Sequence, residues 1–450
     1  MTGPVQTRPA QTRSGHVAIL LYGSRGDIQP GLCLALELQD RGDRVSVAVP
    51  PNLVSMALAV GVDDVRPLGM DSDSAWTSEH ALSQQRSRNP LRRMRLAIAN
   101  VRAGFRAMDD ALIEAFVVDG APLAGADVVV VAPLCQDRGL ALAQVLDIPL
   151  VTLRFGPMSE NGVVGSIPGV GQTWSAAWRR RSWRLADRVT WWATGWNENR
   201  FRRRVGLTSA RGPLPARLRR LGIAQIQAYD PALFPGLADE WGDDRPLVGF
   251  LDLPAHARAR IDGGDADPAD ASLWRWLDAG PPPLFVTFGS MPLPDRDTVM
   301  ATIEGAADRV GLRCLFVMSG EREPWDDRSA QRSHVVSAVN HAAVLPRCAA
   351  AVHHGGAGTT AAVLRAGLPA VVCAVTADQP VWGDRLRALG VGDWCRTSAL
   401  TTDGVTTALT TAVASRAAAG SLSARMVDAE SAVAAAADRV QRCFASAAHL

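Results

Sequence analysis

"HHGGAGTT" occupies residues 353–360, with a short apolar run at 349–352 before it and "AAVLRAGLPAVV" (361–372) after it. An apolar run, a glycine-rich turn and apolar residues at helical spacing predict a strand that passes directly into a helix. Gly355, Gly356 and Gly358 remove side chains from the turn and let the backbone approach a ligand. Thr359 supplies an N–H and a hydroxyl, and His354 a ring nitrogen. A helix N-terminus favours an anion by about 0.3–2 kcal/mol, so the stretch suits a phosphate. Two other readings stand beside this one: a tight turn with no ligand, and a His–His metal site. Adjacent residues of an extended chain point to opposite faces, and no further ligand lies at metal spacing, which weighs against the metal.

The chain has 450 residues, 47% hydrophobic and 20% charged, with a formal net charge of +2. At roughly 150 residues per domain this predicts two or three domains with large cores. The near-neutral balance argues against a nucleic-acid partner. There is no lysine, so all 47 basic residues are arginine. A Walker P-loop and a Schiff-base enzyme both need a lysine amine, and both are excluded. Seven cysteines, odd in number and without a C-x-x-C pair, read as reduced buried thiols. The apolar run at 17–22 is too short for a signal peptide or a membrane span, so a cytoplasmic protein is expected.

Val/Ile/Leu-rich runs alternate with helical patterns. "HVAILLY" (16–22), "RVSVAVP" (44–50), "DVVVVAPL" (127–134) and "PLVTLRF" (149–155) predict strands of one parallel sheet. The same alternation restarts after residue 280 with "PLFVTFGS", "RCLFVMSG", "HVVSAV", "AAAVHH" and "AVVCAV". The expected fold class is α/β, with two doubly wound Rossmann-like domains facing across a cleft. Residues 15–250 form the first domain and 273–450 the second. A Pro/Gly/Asp/Ala-rich stretch at 251–272 reads as a linker, and the last helix is expected to pack back on the first domain. Ligands of such folds bind at the carboxyl ends of the strands.

In the first domain "GSRGDIQP" (23–30) follows the first strand. Its glycines hold Asp27 above that strand, where a carboxylate can take a proton from a bound hydroxyl. The alternative is that Asp27 only caps the following helix. Asp378 and Gln379, in "DQP", can accept and donate hydrogen bonds to adjacent sugar hydroxyls, although such a pair on a loop is often mere surface. "DSD" (71–73) and "DAD" (265–267) match the D-x-D spelling of metal-dependent transferases, but neither ends an apolar strand.

Together "TFGS" (287–290), "VNH" (339–341), "HHGGAGTT", "GLPAVV" (367–372), "DQPVWGDRLRALGVG" (378–392) and "GSRGDIQP" resemble one known family. It is the inverting nucleotide-sugar glycosyltransferases of the two-Rossmann B-type fold (GT-B). The branch containing sterol, glycopeptide- and macrolide-antibiotic and mycobacterial glycopeptidolipid glycosyltransferases is the most similar. "YGSRGDIQP" (22–30) and "AVPPN" (48–52) are especially similar to the mycobacterial group. The resemblance implies that His354, Gly355, Gly356, Gly358 and Thr359 hold the donor diphosphate, with Ser290 lining the same site. It assigns Val339 and Asn340 to the base, Asp378 and Gln379 to the sugar, and Asp27 to the general base. Many relatives carry a tryptophan shortly after the position of His341, where this chain has "HAAVLP". Relatives of the plant type place a histidine base in the first loop; here His16 opens the strand, at the wrong end.

The resemblance therefore implies transfer of a hexose or deoxyhexose from a UDP- or dTDP-sugar to a hydroxyl. The acceptor would be hydrophobic: a natural product, a sterol-like molecule or a lipid. No cofactor and no metal are required. A sugar-nucleotide epimerase of the same shape and a non-catalytic nucleotide-sugar sensor are the rivals.

"WSAAWRRRSWRLADRVTWWATGWNENRFRRR" (174–204) holds six tryptophans and nine arginines. At helical spacing Trp174, Trp178, Leu185, Val189, Trp192 and Trp196 share one face. That face is expected either to pack in the core or line an acceptor pocket, or to make peripheral contact with a membrane.

Overall fold

The structure, a computed structural model, describes residues 14–72, 90–167, 170–261, 268–289, 291, 293, 295–318, 332–375 and 378–447, with backbone alone at 90–102, 172, 268–270 and 444–447. Ser290, Asp73 and the "DAD" stretch lie outside the described residues.

Twelve strands form two sheets of six. The first contains β1 (His16–Leu20), β2 (Arg44–Val49), β3 (Asp64–Pro67), β4 (Val128–Val131), β5 (Leu150–Arg154) and β6 (Ala224–Gln227), in the order β3-β2-β1-β4-β5-β6. The second contains β7 (Leu284–Thr287), β8 (Cys314–Val317), β9 (Ser333–Val336), β10 (Ala350–His353), β11 (Ala370–Ala374) and β12 (Gly392–Arg396), in the order β12-β11-β10-β7-β8-β9. Every neighbouring pair is parallel. This is the α/β architecture that the alternation of the sequence predicts.

The central strands are apolar at successive positions because helices cover both faces. Val17 and Ile19 enter one core layer, while Ala18 and Leu20 enter the other. In the second sheet Phe285 and Leu315 face one layer, and Val286 and Phe316 face its opposite.

Each sheet reverses its winding once, between β1 and β4 and between β7 and β10. Loops that leave two neighbouring strands in opposite directions open a crevice at their carboxyl ends. The loop with Asp27 leaves β1, and the HHGGAGTT turn leaves β10. Both therefore stand at the two places where such folds bind ligands.

The chain crosses between the two halves more than once. Tyr229, Phe234 and Phe250 join the core layer of the second sheet. The Ala429–Ala447 helix returns to the first, where Ala432 and Ala436 are buried with Leu32 and Leu36. Arg41 bonds Asp438 at 2.5 Å and the carbonyl of Ala434 at 3.1 Å, fixing that return. The stretch read as a linker is partly helical: Ala257, in the Ala255–Ile261 helix, is fully buried in the first core.

Packing of the Trp/Arg segment departs from the core expectation. It forms one helix, Ala176–Arg204, that buries Trp183, Gly195 and Phe201. Trp178, Leu185, Val189, Trp192 and Trp196 instead face solvent. Among the described residues no helix is long and apolar enough to cross a membrane.

Candidate active site

Gly356 is the N-cap of the helix Ala357–Arg365. Gly355 has φ of 88°, and a Cβ there would lie 2.7 Å from Val372 Cγ1, so only glycine fits between the turn and β11. A Cβ on Gly358 would meet nothing within 4 Å. The protein's own packing does not demand glycine at 358, and the open space above it is room for a ligand. Thr360 turns its hydroxyl back to the carbonyl of Gly356 at 2.9 Å. Thr359 makes no such bond, and the N–H groups of Ala357, Gly358 and Thr359 find no protein acceptor among the described residues. These are the donors a helix N-terminus leaves for an anion.

The two histidines do different work. His353 is fully buried, and its Nδ1 accepts the Gly355 N–H at 3.0 Å, which shapes the turn. Burial pushes its pKa down to about 3. His354 lies between two glycine loops: a Cβ on Gly356 would sit 2.5 Å from its Nε2, and one on Gly289 3.3 Å from its Cε1. Its Nδ1 is buried without a partner among the described residues. Burial lowers its pKa to about 4, partly opposed by the nearby Thr287 backbone, so the ring is neutral at pH 7. The ring thus lies against the N-cap of the helix, where it can share a polar ligand atom with the free N–H groups.

Val339 and Asn340 are committed to the fold. Val339 is buried in the core, and the Asn340 side chain accepts the N–H groups of Ala342 and Ala343 at 3.0 and 3.4 Å. The backbone and the exposed amide N–H2 of Asn340 remain here to meet a base.

Asp378 stands at the N-cap position of the helix Gln379–Ala388 without a side-chain cap bond, and its Oδ2 accepts the Trp382 indole N–H at 2.9 Å. Burial raises its pKa, and the negative charge of Asp27 adds to the rise. Gln379 is turned inward, its Oε1 accepting the Val375 N–H at 2.7 Å. Its carbonyl therefore shapes the loop rather than standing open to a sugar.

Asp27 does cap its helix: its Oδ2 accepts from the Ser24 N–H at 2.7 Å and the Ser24 hydroxyl at 2.8 Å. Burial nonetheless pushes its pKa up against these two bonds. Capping does not remove Asp27 from the cleft, because its charge is felt at Asp378 on the other domain. A Cβ on Gly156, just beyond β5, would lie 3.9 Å from Asp378 Oδ2, so the strand ends of the two halves meet here. His16 sits at the amino-terminal end of β1, away from the carboxyl ends of the strands, bonded to Ser46 Oγ at 2.9 Å.

Two residues escaped the sequence reading. Trp382, in "DQPVWGD", is fully buried and holds the Asp378 carboxylate. Arg154, the last residue of β5, is buried and bonded to neutral Ser159 and Gln136 at 2.7 and 2.9 Å. Burial lowers its pKa to about 10. Among the described residues no group of three His, Cys, Asp or Glu side chains could hold a metal.

A protein of Mycobacterium bovis described as an uncharacterized glycosyltransferase is 36% identical over 398 residues, covering 87% of this chain and 90% of its own length. This chain is a glycosyltransferase of the GT-B family. The family of erythromycin biosynthesis protein CIII-like C-terminal domains matches residues 330–445, which hold the turn, Asp378 and Gln379. A sterol 3-beta-glucosyltransferase of Arabidopsis thaliana is 28% identical, covering 84% of this glycosyltransferase and 59% of the plant enzyme. Among solved structures, the glycotransferase of kitacinnamycin superposes with a TM-score of 0.66 at 20% identity, over 96% of this chain and 100% of its own. Glycosyltransferase VinC, in complex with dTDP, superposes with a TM-score of 0.61 at 18% identity, over 96% and 100%. These two establish the GT-B fold. The mycobacterial relative, and not the shared fold, assigns glycosyl transfer rather than epimerisation or sensing to this glycosyltransferase.

Proposed function

We propose that this glycosyltransferase moves a hexose or deoxyhexose from a UDP- or dTDP-sugar to a hydroxyl of a hydrophobic acceptor, with inversion at the anomeric carbon. The observation that carries the reading is the meeting of the strand ends: Gly156, just beyond β5, lies against Asp378, and Gly355 of the turn that opens the Ala357–Arg365 helix lies against Gln379.

Asp27 takes the acceptor proton, and the acceptor oxygen bonds to the anomeric carbon. The carbon–oxygen bond to the diphosphate breaks on the opposite face, and its electron pair leaves with the diphosphate. A single in-line displacement inverts the centre. The free N–H groups of Ala357, Gly358 and Thr359, with His354, meet the developing charge as preorganised donors. Asp378 orients a sugar hydroxyl. This charge is assigned to the helix end.

A hydrophobic acceptor is supported by the loop that leaves Gly156. It exposes Met158, Ile167 and Val170, with Met158 lying beside Gly156. The acceptor of the plant relative and the dTDP bound by VinC point to the same substrate classes. The test offers sterol-like, polyketide and glycolipid acceptors with UDP- and dTDP-sugars in excess EDTA. A mass gain of one sugar on the acceptor, with the product anomer opposite to the donor's, is expected. Retained configuration, or turnover only with added Mg²⁺, overturns the mechanism.

A further inference from the structure

The Ala176–Arg204 helix carries more exposed apolar surface than packing explains. Trp178, Leu185, Val189, Trp192 and Trp196 are 61%, 61%, 57%, 86% and 45% exposed. At 3.6 residues per turn these five positions fall within an arc of about 60° and run for roughly 27 Å along the axis. The opposite side of the helix buries Trp183, Asn197, Glu198 and Phe201 against the domain. One face is therefore anchored, and the other presents a continuous apolar stripe to water.

Charge is distributed around that stripe with one sign. Arg180, Arg184, Arg200 and Arg204 are paired with Glu240, Glu160, Asp109 and Asp110. Arg181, Arg188 and Arg203 are exposed and have no carboxylate partner among the described residues. On the helical wheel Arg181 and Arg188 lie about 50° and about 70° from the centre of the stripe on one flank, and Arg203 continues the line of the stripe beyond Trp196. Arg181 also stacks over the Trp178 ring at 5.2 Å. The two acids of the helix project to the other side, where Glu198 is held by Arg217 at 2.5 Å.

We infer that this face docks the enzyme on an anionic lipid surface. Indole rings favour the level of the lipid headgroups, and unpaired guanidinium groups beside them complement headgroup phosphates. A protein partner would be expected to offer acids matched singly to the arginines. The shared chemistry here is instead a planar apolar layer bordered by diffuse negative charge. The helix follows the loop that starts at Gly156, so docking brings the mouth of the cleft to the layer in which an apolar acceptor dissolves. The binding itself does not depend on sugar transfer.

The test is sedimentation of the full chain with vesicles of phosphatidylcholine alone and with about one third phosphatidylglycerol, alongside tryptophan emission. Binding to the anionic vesicles with a blue shift is expected, weakened by salt. Arg188→Gln and Arg203→Gln should each weaken it about fivefold, from roughly 1 kcal/mol per arginine near a charged surface. Trp192→Ser and Leu185→Ser should weaken it at least as much, with melting temperature and turnover of a water-soluble acceptor unchanged. Equal affinity for both vesicles, or no loss in these variants, overturns the inference. So does a concentration-dependent dimer that the same variants dissolve, because the stripe is then covered by a second copy.

Discussion

The indole N–H of Trp382 donates to Oδ2 of Asp378 at 2.9 Å, one helical turn apart. Tyr229, Phe234 and Phe250 surround the indole with ring centroids 6.4, 5.8 and 5.7 Å away. All three come from the segment between β6 and β7, so the cap of a second-domain helix is fixed by the chain that joins the halves. The Asp378 carboxylate is consequently preorganised rather than free to swing.

Asp378→Ala is expected to weaken binding of the nucleotide sugar while leaving the bare nucleoside diphosphate nearly unaffected. Asp378→Asn keeps an acceptor for the indole and separates this from a loosened loop. Calorimetry with both ligands checks it, and equal weakening of the two removes Asp378 from the sugar.

Trp382→Ala should destabilise the fold by about 3–5 kcal/mol, the usual cost of emptying a buried aromatic site. Trp382→Phe should recover most of that stability but lose the hydrogen bond. Denaturant unfolding followed by circular dichroism measures both.

Asp27→Asn should lower kcat by about 10²–10⁴-fold, the span of general-base catalysis. The amide oxygen still accepts from Ser24, so loss of the cap should stay at or below about 1 kcal/mol. Because burial raises the Asp27 pKa, the acid limb of kcat/KM in the wild type should lie above the ordinary carboxylate range. Activity is then lost as pH falls through the raised value, and residual activity of the variant should lack that limb.

His354→Ala should weaken nucleoside diphosphate binding by about 1.5–3 kcal/mol if its bond to phosphate is charge-assisted. The ring is neutral when unliganded, with a pKa near 4, and a phosphate beside it favours the imidazolium. Binding should therefore take up a proton, and affinity should rise as pH falls. Calorimetry in buffers of different ionisation enthalpy reads the uptake; the variant should show less of it.

His353 and His354 also set an acid sensitivity of the fold. Their native pKa values, about 3 and about 4, lie below the usual 6.5. Between these limits the unfolded chain binds protons that the native chain refuses, so this contribution is complete above pH 6.5 and declines as pH falls. His353→Asn keeps an acceptor for the Gly355 N–H without the titration. The melting-temperature gap between wild type and variant should shrink from pH 7 to pH 4; parallel curves would remove His353 as the cause.

Much of this was legible in the sequence, and specific losses mark where it was not. The central strands announced themselves because burial on both faces leaves unbroken apolar runs such as "VVVV" at 128–131. The edge strands β3, β6 and β12, with "DVRP", "AQIQ" and "GDWCR", carry polar residues and gave no such signal. Glycine spacing likewise announced the turn at 353–360, since positive φ and close approach leave few other residues possible.

By itself, then, the sequence determined the alternation of strands and helices, the two glycine-hinged turns and the family they resemble, because local periodicity and backbone sterics act over a few residues. Tertiary structure alone decided the rest. It turned the Thr360 hydroxyl inward and left Thr359 open, and committed Asn340 and the Gln379 carbonyl to the fold. It brought Asp27 to Asp378, and it left the Trp192 face of a long helix bare. A pattern in the sequence says which residues share a face; which face is covered depends on long-range packing between segments hundreds of residues apart.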